Sequence, residues 1–184
     1  MPEIKRVPAN GAALSTASAP ATPDDALVIE APAFAQAVEG KGLAWQVIPH
    51  LGRTQGAVAT FPQGQAASTP ADGIRLDYAV DLAGGGDLAV ELQLVPTLDP
   101  DGRNALQIGI SLDDGPVQIL TDRLMPAPNG TTMQEQRNWT KAVIENASSI
   151  IAHFPAVAPG PHVLRVWRID DNVVLQRLVL RVAP

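Results

Sequence analysis

Alternation of apolar and polar positions with a period of two dominates the chain. Ile74, Leu76, Tyr78, Val80 and Leu82 alternate with Arg75, Asp77, Ala79 and Asp81, the pattern of a strand with one buried and one wet face. Leu88, Val90, Leu92 and Leu94 repeat it just after Gly84-Gly85-Gly86, so these two strands are expected to form a hairpin. Leu106, Ile108, Ile110 and Leu112 give another strand, which the turn Asp113-Asp114-Gly115 leads into Val117–Leu120 as a second hairpin. His162–Ile169 and Val173–Val182 flank Asp170-Asp171-Asn172 and predict a third. Shorter strands are expected at Leu27–Ala31, Trp45–Ile48, Gly56–Phe61 and Ser149–Phe154.

One segment departs from this period. Asn138–Ala147 carries Trp139, Val143 and Ile144 at helical spacing, with Lys141 and Glu145 as an i,i+4 pair. It predicts a short helix laid against an edge, preceded by a Pro- and Gly-containing loop at Met125–Gly130. Many short strands, regular turns and no internal repeat predict an all-β fold. The expected architecture is a two-sheet antiparallel β-sandwich, jelly-roll-like and galactose-binding-like, with one short helix. Residues 8–25 hold small residues, three prolines and almost nothing to bury, which reads as linker. The expected organisation is therefore a flexible Pro/Ala/Ser-rich linker over 1–25 and a β-sandwich domain over 26–184.

Composition narrows the function classes. Hydrophobic residues make up 46% of the 184 and charged residues 17%, too apolar for a disordered chain. No apolar run approaches the roughly 18 residues of a membrane span. The net charge is −6 and the 13 basic residues are scattered, so nothing would neutralise a row of phosphates. Neither nucleic acid nor an anionic membrane is an expected partner. Without cysteine the fold needs neither disulfides nor a thiolate metal site. Met1–Arg6 lacks the apolar core of a signal peptide, leaving an internal protein or a piece of a longer secreted chain as the two expectations.

No catalytic constellation is apparent. Most of the 19 acidic residues fall on outward strand positions or in turns, and Asp113-Asp114 is explained by the turn it begins. His50, His153 and His162 lack metal-ligand spacing, and His162 is expected at the surface. Gly84-Gly85-Gly86 joins strands and opens no helix, so it is no phosphate cradle. Asp99-Pro100-Asp101-Gly102 places two carboxylates in one loop, the donor type calcium prefers, although an aspartate-rich turn looks the same. No cofactor is expected.

Sugar binding needs less: an aromatic face for the C–H surface of a ring, with amides, arginines or carboxylates for its hydroxyls. Aromatics are only 4% of the chain, which disfavours a flat strip but leaves a cleft open. Trp45, Trp139 and Trp167 are the candidates, each with burial in core or interface as the competing reading. Trp167 shares its strand face with Arg165 and Ile169. Trp45–Thr54 runs a strand into Pro49 and presents Arg53 on a Gly-containing turn, where it either ties the loop down or grips a carboxylate.

This segment, Trp45-Gln46-Val47-Ile48-Pro49-His50-Leu51-Gly52-Arg53-Thr54, resembles the W-Q-x-I-P-x-L-G-R-T stretch of the C-terminal β-sandwich domain in glycoside hydrolase family 115, the xylan α-glucuronidases. The likeness continues through Leu94–Asp99 with Gly102-Arg103, Ser111–Pro116, Trp139 ahead of Val143 and Asn146, His162–Trp167 and Val173–Val179. Where such domains often open with I-E-A-E, this chain has Ile29-Glu30-Ala31-Pro32, which weakens any borrowed calcium site.

The resemblance implies catalytic residues in domains upstream, a tether at residues 8–25, and a parent enzyme that acts on glucuronoxylan outside the cell or in the periplasm. The expected function is a non-catalytic carbohydrate-binding accessory module for xylan or uronate-bearing hemicellulose. Trp45, Trp139 and Trp167 would stack, and Arg53 and Arg103 would hold hydroxyls or a carboxylate. The alternative is a structural domain that packs on the upstream catalytic domain or forms a homodimer, with the tryptophans in core or interface.

Overall fold

The computed structural model describes residues 5–6, 17–18, 26–103, 105–124 and 133–183. Its elements are β1 (Lys5–Arg6), β2 (Ala17–Ser18), β3 (Leu27–Glu30), β4 (Gln36–Val38), β5 (Ala44–Pro49), β6 (Gly56–Phe61), β7 (Arg75–Leu82), β8 (Gly86–Leu94), β9 (Leu106–Leu112), β10 (Gln118–Asp122), α1 (Met133–Glu145), β11 (Ser148–Val157), β12 (Gly160–Arg168) and β13 (Leu175–Ala183). The strands form two sheets. One has seven strands in the order β1-β5-β6-β13-β8-β11, with β3 also on β13. The other has six in the order β10-β9-β12-β7-β2, with β4 also on β7. All pairings are antiparallel except β2 with β7. This is the expected two-sheet sandwich.

The core lies between the sheets because each contributes one face of its alternation. Leu76, Tyr78 and Val80 come from one side and Leu88, Val90, Leu92, Leu178 and Leu180 from the other. Tyr78 is fully enclosed and its hydroxyl donates to Ala31 O at 2.8 Å, which satisfies a polar group that burial would otherwise penalise.

Two of the three expected hairpins are not hairpins. The β9–β10 pair is one, with Gln118 opposite Ile110. Strands β7 and β8 lie in different sheets, as do β12 and β13. Gly85 lies on the first of these crossings, against β11: a Cβ there would sit 2.9 Å from Val157 O. Alternation reveals that a strand has one buried face but not whether its neighbour in sequence pairs beside it or packs opposite it.

The expected helix begins earlier, at Met133, and presents a different face. Ala142 is buried, whereas Val143 and Ile144 are exposed, because the sandwich beneath admits only a small side chain. Lys141 and Glu145 do pair, at 4.0 Å. Of the expected linker, only Lys5–Arg6 and Ala17–Ser18 fall among the described residues. The first pairs with β5 and the second with β7. The remainder of that segment and the Met125–Gly130 loop lie outside the described residues.

Candidate functional site

The polar edge of the sandwich is where α1 lies. Strand β10 ends one sheet and β11 ends the other, and Gln118 Nε2 ties the two edges by donating to His153 O at 2.9 Å. The helix spans the connection between them, leaving a cleft of about 380 Å³ lined by residues of α1, the end of β10, the start of β11 and the Arg53 turn. Asn138, Lys141, Ala142 and Glu145 reach it from the helix. Their spacing of i, i+3, i+4 and i+7 places them on one helix face.

Three cations line this cleft, Arg53, Arg123 and Lys141, together with the carboxylates of Asp122 and Glu145. Glu145 is engaged by Lys141. Asp122 is buried, and the Ser148 hydroxyl donates to its Oδ2 at 2.6 Å. Burial pushes the Asp122 carboxyl above the ordinary carboxylate range, with the Ser148 hydrogen bond acting the other way. Among the described residues neither Arg53 nor Arg123 has an ion-pair partner in the cleft. Two planar guanidinium groups over polar walls suit a hydroxyl-rich or carboxylate-bearing ligand, because each can bind two oxygens at once.

The candidates from the sequence are distributed over the domain. Trp45 is 4% exposed in the core, and its indole N–H donates to Val38 O at 3.2 Å. No sugar can stack on a ring so enclosed. Trp167 is half-buried on the outer face of β12, opposite Gly109 of β9. A Cβ at Gly109 would meet the Trp167 Cβ at 2.9 Å, so the glycine makes room for the indole. Its N–H donates to Ser111 Oγ at 3.0 Å, and the Arg75 guanidinium lies 5.0 Å over the ring. Trp139 is half-buried on α1. Arg53 and the helix bearing Trp139 meet at the cleft, whereas Trp45, Trp167 and Arg103 lie elsewhere.

Arg103 is held by carboxylates, 2.9 Å from Asp170, 3.3 Å from Asp101 and 3.9 Å from Asp99. The same pairing answers the calcium question. Asp99 is buried and its oxygens accept the backbone N–H groups of Asp101 at 3.0 Å and Ala105 at 3.1 Å. A guanidinium occupies the place a cation would take among these aspartates. Glu30 instead accepts the Thr54 hydroxyl. Among the described residues no group of three or more His, Asp or Glu side chains is arranged to hold a metal ion, and the residues present do not fit calcium.

Arg123 was not foreseen because it follows a strand end with no motif around it. The polar helix face was foreseeable, since Asn138, Lys141 and Glu145 recur at helical spacing.

His162 is half-buried rather than a free surface group. Its Nδ1 sits 2.7 Å from Asp113 Oδ2 and its Nε2 2.9 Å from Ala158 O. Both neighbours are acceptors, so only the doubly protonated ring satisfies both. The hydrogen bond to Asp113 lifts the imidazole above its usual range. Burial raises the Asp113 carboxyl, but His162 and the Val163 N–H, which Asp113 Oδ1 accepts at 2.8 Å, outweigh it and hold the group low. The imidazolium's contribution is complete below about pH 6.5 and is lost as pH rises through the raised folded value. The carboxylate's is present above about pH 3.8 and is lost as pH falls through the lowered one. His162→Gln is therefore expected to cost about 1 kcal/mol at pH 5.5, limited by the half-exposed Asp113, and less at pH 9. Urea unfolding at both pH values checks this; an equal cost at both contradicts it.

The family model that matches the chain is described as the glycosyl hydrolase family 115 C-terminal domain, over residues 22–183. Among solved structures, a family GH115 4-O-methyl-α-glucuronidase with specificity for decorated arabinogalactans matches 85% of the chain at 16% identity and a TM-score of 0.58. The chain spans 17% of the length of that enzyme. The C-terminal CBM6 of LamC, a marine laminarinase from Zobellia galactanivorans, matches 85% of the chain and 99% of its own length at 14% identity and a TM-score of 0.53. A family 35 carbohydrate-binding module from Clostridium thermocellum matches 84% and 97% at 13% identity and a TM-score of 0.52. At such identities these likenesses establish the β-sandwich fold. No curated protein matches the chain.

Proposed function

Because the chain belongs to the glycosyl hydrolase family 115 C-terminal domain family, we propose that it is a non-catalytic carbohydrate-binding accessory module. It works beside an upstream catalytic domain in a longer secreted enzyme, outside the cell or in the periplasm, and binds xylan or another uronate-bearing hemicellulose. The convergence of Arg53, Arg123 and Lys141 on the cleft beneath α1 carries this reading. Guanidinium groups pair with carboxylates bidentately, and a uronate side group is the carboxylate such polysaccharides offer. The carbohydrate-binding modules that share the fold are consistent with a sugar-directed role.

Affinity electrophoresis on glucuronoxylan tests it. The chain is expected to be retarded, and Arg53→Ala with Arg123→Ala to weaken retention by roughly tenfold or more, the loss of charge-assisted contacts. Unretarded migration on glucuronoxylan, unsubstituted xylan and arabinogalactan alike would sink the proposal.

A second reading has its own support. Met133, Val143 and Ile144 are 70%, 51% and 78% exposed on α1, apolar surface that suits packing on a catalytic neighbour or on a second copy. Self-association in sedimentation together with no glycan binding would favour it.

A further inference from the structure

Gln176 belongs to no ligand-facing surface, yet it holds both walls of the cleft. Strand β13 pairs Leu175 with Leu94 and Arg177 with Gln93 of β8. Gln176 is thus an extra residue in the ladder, a β-bulge, and bulges redirect the side chain they carry. The redirected amide is 1% exposed and fully used. Its Nε2 donates to Leu94 O at 2.9 Å and to Asn146 O at 2.7 Å. Its Oε1 accepts the backbone N–H of Arg53 at 2.9 Å.

The two outward partners are informative. Asn146 follows α1 in a left-handed conformation, φ +50, so its carbonyl marks the end of the helix that bears Asn138 and Lys141. Arg53 lines the same cleft from its own turn. The preceding Gly52 has φ +91, and a Cβ there would lie 2.5 Å from the Gln176 Oε1. The turn is therefore moulded onto the amide, and a larger residue at position 52 has to push the amide aside.

We propose that Gln176 is the positioning residue of the cleft: by bonding the Arg53 turn and the end of α1 at once, it sets the spacing between guanidinium and helix that selects a carboxylate-bearing glycan over a neutral one. This rests on the carbohydrate-binding reading above. A buried amide can also serve folding alone, so the test reads selectivity. Affinities are measured calorimetrically on the full chain for an aldouronic xylo-oligosaccharide and for the same oligosaccharide with its carboxyl reduced to an alcohol. A loss of folded protein acts equally on both titrations and leaves the ratio of the two affinities untouched.

The wild-type chain is expected to prefer the uronate form by roughly tenfold, the scale of one charge-assisted contact. Gln176→Met is expected to bring that ratio close to one. Gly52→Ala, which disturbs the same contact from the other side, is expected to do likewise and serves where the first variant fails to fold. Gln176→Glu keeps the acceptor for Arg53 and loses the donors, so it should retain part of the preference. A preserved ratio in Gln176→Met or Gly52→Ala overturns the positioning role. A wild-type chain that binds neither sugar overturns the carbohydrate reading and this inference with it, whereas one that binds both equally leaves that reading standing and overturns this inference alone.

Discussion

Replacing Arg168 with methionine is expected to lower the unfolding free energy by about 3 to 5 kcal/mol, the cost of leaving a buried charge uncompensated. Arg168 continues the inward phase of β12 after Leu164 and Val166 and is 3% exposed. Its guanidinium lies 3.5 Å from the buried Asp171 carboxylate. It donates to Ala66 O at 2.8 Å, to Ser68 Oγ, and more weakly to Thr60 Oγ1 and Gln65 O, both at 3.4 Å. Methionine fills much of the volume but supplies no donor. Asp171 would keep only the Gly64 and Gln65 N–H groups. Adding Asp171→Asn to Arg168→Met should therefore recover part of the loss, since the charge itself is then gone. Urea titration of the single and double variants measures both quantities; a single-variant cost under about 1 kcal/mol would mean that the pair behaves like a surface ion pair.

Trp45→Ala is expected to cost a similar amount, about 3 to 5 kcal/mol. The indole lines a small internal void together with Thr60, Ile108, Val166 and Leu175, and truncation enlarges it into a cavity that the two sheets cannot collapse to fill. Trp45→Phe should be milder, about 1 to 2 kcal/mol, losing the bond to Val38 O and some volume. Folded Trp45→Phe protein should bind glucuronoxylan as the wild type does. If that variant instead loses glycan affinity at unchanged stability, the tryptophan belongs to the ligand site and the core assignment fails.

Much of the fold was legible. The inward phase of β7, β8, β9 and β12 follows directly from Leu76, Leu88, Ile108 and Leu164 at alternate positions, because a strand must bury one face. The site was far less legible. Arg53 was singled out from its turn, but Arg123 and Asn138 gain meaning only once β10, α1 and β11 meet. Within its own loop Arg103 reads as available for a ligand, but Asp170, far along the chain, lies 2.9 Å from it. Arg168 sits where alternation predicts a core residue, and only the Asp171 carboxylate and the carbonyls of residues 65 and 66 explain how a cation is tolerated there.

By itself the sequence determined which residues of β7, β8, β9 and β12 face inward, that one segment is helical, and that the chain is a β-sandwich. These are local properties, set by the two-residue repeat of a strand and the 3.6-residue repeat of a helix. Tertiary structure alone decided that β7 and β8 join different sheets instead of pairing. It also decided that Trp45 is core, and that Gln176 joins the Arg53 turn to the end of α1. Such choices depend on the competition among all strands for hydrogen-bonding and packing partners, and no window of the chain contains both sides of that competition.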